Sequence, residues 1–184
     1  LEITNAIQRD DLAARCRSGE AQAFYEVYHR YAKTMLNSSI RILNHLADAE
    51  DAVQEAFAIA FNKIDTFTYK SSLEAWLVRI SINKSLELLR QKRKIRWVDV
   101  DAIEIKQDGS AAAGDHGFRY SGKQVKEAID RLPENYRIIF NLYAVDEIPQ
   151  EDIAQMLQIS HGNVRTIYHR AKLKIKEILQ NEQG

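Results

Sequence analysis

A chain of 184 residues with 45% apolar and 28% charged side chains can build either one large helical or mixed domain or two small ones. Its 26 basic residues balance its 26 acidic ones, so net charge alone argues for no partner. The single cysteine, Cys16, excludes an internal disulfide, and no apolar run is long enough to cross a membrane or form a secretion signal, so a cytoplasmic protein without membrane insertion is expected.

In chain order, the first periodic stretch runs from Glu20 to about Leu43 and puts Phe24, Val27, Tyr28, Tyr31 and Met35 on one helical face. Asp48 is a suitable N-cap for a second helix reaching about Ile64, whose buried stripe reads Ala49, Ala52, Val53, Ala56, Phe57, Ala60, Phe61 and Ile64. A loop at 65–70 follows. Ser71 with Glu74 then forms a capping box for a helix to about Arg93, with Leu73, Trp76, Leu77 and Ile80 on its core side.

The helical period is lost between about Lys94 and Gly122, where Asp99, Asp101, Glu104, Asp108 and Asp115 share the stretch with Gly109, Gly114, Gly117 and Gly122. This composition reads as a flexible acidic linker. Val125, Ile129 and Leu132 resume the pattern, Pro133 breaks it, and Tyr136, Ile139, Phe140 and Tyr143 carry the next helix. Pro149 opens a short one, where its missing N–H does no harm. The expected fold is all-α: an N-terminal helical domain at 1–93, a linker at 94–122 and a C-terminal domain at 123–184.

The C-terminal domain holds the most specific pattern. A helix-turn-helix needs a small residue where its helices cross and apolar residues at fixed offsets. Ala154 supplies the first, Ile153 and Leu157 flank it, Ile159 fills the turn and Ser160 caps the second helix. Val164, Ile167, Ala171 and Ile175 then face inward. The opposite side carries Asn163, Arg165, Thr166, His169, Arg170 and Lys172, donors suited to base edges and phosphates.

In the N-terminal domain, the outward face of the second helix presents Asp51, Gln54, Glu55 and Ala58. Three readings stand side by side: a solvated face, a metal site made by Asp48, Asp51 and Glu55, or a docking surface for a basic partner helix. On the next helix Arg79, Asn83, Glu87 and Arg90 share a stripe, and the preceding loop holds Phe67, Tyr69, Lys70 and Ser71, which suit an unstacked base. No phosphate loop, metal triad or nucleophile–base pair is visible, so neither an enzyme nor a cofactor or metal is expected.

Three runs resemble bacterial RNA polymerase sigma factors of the extracytoplasmic-function (ECF) group: Asp48-Ala-Glu-Asp-Ala-Val-Gln-Glu-Ala-Phe57, Ala75-Trp-Leu-Val-Arg-Ile-Ser-Ile-Asn83, and Gly162-Asn-Val-Arg-Thr-Ile-Tyr-His-Arg-Ala-Lys172. The resemblance implies that Asp51, Gln54 and Glu55 grip the clamp helices of the polymerase largest subunit, and that the C-terminal domain meets the flap. It implies that Arg79, Asn83 and Arg90 serve the −10 promoter element and that Phe67 with its loop captures a flipped base. Arg165, Thr166 and His169 would read the −35 element, with Asn163, Arg170 and Lys172 on its phosphates. An anti-sigma protein is a further implied partner.

Gln158 stands where the family usually has glycine, Pro149 and Gln150 replace small or aromatic residues, Asn163 replaces threonine, and Glu87 would repel phosphate beside the −10 face. The competing expectation is a stand-alone helix-turn-helix regulator with an N-terminal dimerisation or sensing domain.

Overall fold

A computed structural model describes residues 12–92 and 120–181; the expected linker lies almost wholly outside them. The chain divides into two compact units, Leu1–Lys94 and Ile95–Gly184. All regular structure among the described residues is helical.

In the first unit a short helical segment at 12–17 (α1) precedes α2 (Ala21–Leu43), α3 (Leu46–Asn62), a 3-10 turn (Ile64–Thr66) and α4 (Leu73–Lys92). The three long helices pack pairwise around Val27, Tyr31, Met35, Val53, Phe57 and Leu77. Sequence patterning did not anticipate α1, yet Leu12, Ala13 and Cys16 join the same core. Gly19 makes the turn into α2 at φ +79°, a conformation that an L side chain resists. Arg15 forks onto Glu20 and Glu26 across that turn, with Nε 2.8 Å from Glu20 Oε2 and Nη1 3.2 Å from Glu26 Oε2. Glu20 first, then Glu26, raises the guanidinium further above its ordinary pKa.

Where α2 meets α4 the interior is small and polar: Ser38, Ser39, Ser81 and Ser85 are fully buried. Their hydroxyls have partners, as burial requires. Ser39 Oγ is 3.3 Å from Ser81 Oγ, Ser81 donates to the Met35 carbonyl at 3.4 Å, and Ser85 donates to the Ser81 carbonyl at 2.8 Å.

Several local expectations shift. His45, not Asp48, caps α3: its Nδ1 accepts the Asp48 N–H at 3.3 Å, and Asp48 lies in the first turn, where a carboxylate suits the helix dipole. Ser72 rather than Ser71 caps α4, accepting from the Ala75 N–H at 3.1 Å, which puts Glu74 one place short of the capping-box position. Tyr28 is 44% exposed and rests its ring on Phe57, at the edge of the face that buries Val27, Tyr31 and Met35.

The second unit contains α5 (Gly122–Asp130), α6 (Glu134–Ala144), α7 (Gln150–Leu157) and α8 (His161–Asn181). Ser121 and Gln124 form a reciprocal capping box, so the chain is helical from Gly122, where the sequence still reads as linker. α8 packs against each of the other three, burying Val164, Ile167, Ala171, Ile175 and Leu179.

Candidate nucleic-acid and polymerase interfaces

α7 ends and α8 begins within three residues. The Gln158 N–H bonds the Gln155 carbonyl at 3.3 Å and the Ile159 N–H bonds the Ala154 carbonyl at 3.1 Å, the paired closure of a Schellman motif. That motif needs a left-handed residue, and Gln158 supplies it at φ 58°, ψ 43°. The turn that glycine usually makes is thus kept with a side chain in place. Ser160 caps α8 by accepting from the Asn163 N–H at 3.1 Å, and His161 Nε2 lies 3.4 Å from Glu151 Oε1.

From this start, Arg165, His169 and Lys172 are exposed, with Thr166 and Arg170 half-buried beside them. Lys172 Nζ sits 5.1 Å over the Tyr168 ring, which stacks on Phe140 and meets Tyr143 edge-on at 4.7 Å. This aromatic seat is missed by reading α8 for donors alone, although its i, i+4 spacing is in the sequence. Asn163 corrects the expected outward set. It is only 9% exposed, because at 100° per residue it falls beside Val164 and Ile167 on the packed side. Its backbone N–H serves the cap, and its side chain lies on the packed side of α8.

In the first unit Asp51, Gln54, Glu55 and Ala58 are all exposed on α3, and Arg79, Asn83, Glu87 and Arg90 are all exposed on α4. The two faces are joined by Lys84, whose Nζ lies 2.7 Å from Glu55 Oε2 and 3.3 Å from Glu87 Oε2. Glu55 first, then Glu87, raises the Lys84 pKa. Gln91 Nε2 also donates to Glu87 at 3.2 Å, so the carboxylate expected to repel phosphate is compensated by its own helix.

Between the end of α3 and α4 lies a cleft of about 290 Å³ lined by Lys63, Thr66, Trp76, Asn83, Lys84 and Glu87, among others. Trp76, expected in the core, packs against it as a half-buried side chain and also lines this cleft. The metal reading gains no geometry: Asp48 bonds Lys92 at 2.5 Å and Glu55 bonds Lys84, and no group of ligands that could hold a metal occurs among the described residues.

Phe67 is a second correction. It is 3% exposed, with its ring centroid 5.4 Å from Trp76 and 4.8 Å from Tyr69, because it plugs the gap after the 3-10 turn. The ring of this loop that reaches solvent belongs to Tyr69.

The fold and these faces define a two-unit helical protein whose second unit presents a basic recognition helix. Residues 22–95 match sigma-70 region 2, and residues 122–175 match sigma-70 region 4. The ECF RNA polymerase sigma-E factor of Escherichia coli (strain K12) is 30% identical over 178 residues, covering 92% of this chain and 93% of the relative. The ECF RNA polymerase sigma factor SigW of Bacillus subtilis (strain 168) is 26% identical over 174 residues, covering 90% and 93%. The solved structure of the sigma factor RpoE with the anti-sigma factor NepR from Bartonella quintana shares the fold at a TM-score of 0.56 and 23% identity, covering 87% of this chain and 98% of that one. The chain belongs to the sigma-70 family, in its ECF group, whose members direct RNA polymerase to promoters. The region 2 match falls in the N-terminal unit, so the alternative of a stand-alone regulator with a dimerisation or sensing module there is not favoured.

Proposed function

We propose that the outward face of α3 (Asp51, Gln54, Glu55) docks on the polymerase clamp helices while Arg79, Asn83 and Arg90 of α4 meet the −10 element. The observation that carries this reading is the adjacency of the two exposed faces, linked by Glu55 and Lys84. Docking at α3 brings α4 to the DNA at the same moment. Arg165, Thr166 and His169 of α8 read the −35 element, with Arg170 and Lys172 on phosphates, and the C-terminal unit rests on the flap.

Neither unit needs strong DNA affinity alone, since attachment of both to one polymerase raises their effective concentration. The domain plan is 1–93 for core and −10 binding, a linker from 94 that ends before the Ser121 cap of α5, and the remainder for −35 binding. The protein performs no chemistry, assists opening of the duplex, acts in the bacterial cytoplasm and is held in check by an anti-sigma protein. No helix among the described residues is long and apolar enough to cross a membrane. Mixing the chain with purified core polymerase and a promoter library tests the proposal. Selective transcripts from a subset of promoters are expected, and absence of both core binding and promoter-dependent transcript would overturn it.

A further inference from the structure

Arg17 lies outside both family-matching segments and reaches from α1 to the loop between α3 and α4. Its Nε donates to the Ile64 carbonyl at 3.3 Å, Nη2 to the Phe67 carbonyl and Nη1 to Tyr69 Oη at 3.0 Å. Its Cζ also sits 4.8 Å over the Tyr69 ring. One planar group therefore holds two carbonyls and an aromatic side chain of the same loop. Tyr69 needs such holding: its φ of 58° is left-handed, which a bulky residue keeps only where surrounding contacts over-determine it. Phe67 is shut into the core, whereas Tyr69 stays 42% exposed.

We propose that Arg17 is a positioning residue for promoter opening, locking this loop so that the Tyr69 ring, rather than Phe67, forms the stacking surface for an unstacked base of the opened strand. The inference rests on the proposed −10 role of the loop and α4. A guanidinium against one side of the ring leaves its exposed part for a base, and every base has a face that stacks on an aromatic ring. Lysine could not replace it, because a point charge lacks the fork that spans three acceptors.

The test uses the full chain with core polymerase and a library-selected promoter carrying 2-aminopurine in its −10 element. Opening rate, core affinity and melting temperature are read separately. Arg17→Ala and Tyr69→Ala should each slow opening roughly tenfold, within the range of base–aromatic stacking, with core affinity unchanged and each variant still fully folded at the assay temperature. Arg17→Lys should resemble Arg17→Ala, and Tyr69→Phe should stay near the unmodified protein. The double variant should be no slower than Tyr69→Ala alone. Normal opening by Arg17→Ala, or defects that multiply in the double variant, would overturn the role of Arg17. Normal opening by Tyr69→Ala while Arg79→Ala is slow would overturn the stacking surface but leave the −10 assignment standing; normal opening by all three would remove that assignment as well.

Discussion

Lys84 Nζ lies 2.7 Å from Glu55 Oε2, so a half-buried ammonium on α4 ties down a carboxylate on the face of α3 proposed to meet polymerase. The carboxylate stays largely in solvent, which limits what the pair contributes to stability. Lys84→Met should change unfolding free energy by no more than about 1 kcal/mol in urea denaturation. A loss of several times that would mean that Lys84 anchors the bundle rather than joining two working faces.

Asp51 and Gln54 are exposed on the same face and do not belong to the core. Replacing both with Ala should weaken core binding at least tenfold by fluorescence anisotropy while leaving the melting temperature unchanged, since both side chains are exposed. Unaltered affinity would remove α3 from the docking surface.

The two ends of the expected −35 set should separate in experiment. Arg165→Ala, on the exposed stripe, should cost about 1–3 kcal/mol of binding to the preferred −35 sequence and relax discrimination at one position. Asn163→Ala should instead lower stability by roughly 1 kcal/mol, because its side chain is packed. Titrations against −35 variants, paired with thermal melts, distinguish them; an Asn163→Ala protein with full stability and weakened DNA binding would restore it to the outward set.

Gln158 holds a left-handed conformation that costs a side-chain-bearing residue roughly 1–2 kcal/mol. Glycine removes that cost but adds roughly 0.5–1 kcal/mol of conformational entropy loss on folding. Gln158→Gly should therefore stabilise the second unit by about 0.5–1 kcal/mol, visible as greater hydrogen-exchange protection in α7 and α8. Reduced protection would mean that the Gln158 side chain makes a compensating contact.

The Lys92 ammonium beside Asp48, with His45 nearby, holds that carboxyl below its ordinary value of 3.8. A depressed folded pKa contributes stability that is present above the unfolded value and lost as pH falls through the folded one. The difference in melting temperature between the unmodified protein and Asp48→Asn should be steady near neutrality and close as pH drops below 3.8. A gap that persists in strong acid would assign the effect to something other than this ion pair.

The helices and the helix-turn-helix were legible from the sequence alone because they rest on short-range periodicity. Ala154, Ile159, Ser160, Val164 and Ile167 lie close enough along the chain for their spacing to imply their packing, and the exposed stripes of α3 and α4 follow from the same arithmetic. Phe67 and Asn163 mark its limit: aromatic and amide side chains suit either a ligand or a core, and only their neighbours in space decide. The links between elements were invisible for a different reason. Arg17 meets Tyr69 across 52 residues and Lys92 meets Asp48 across 44, distances over which side-chain identity carries no register. Sequence thus determined the long helices and most of their outward sides, though neither α1 nor the inward turn of Asn163. Tertiary packing decided which exposed groups are tied to one another, because that depends on how separate helices close around a shared core.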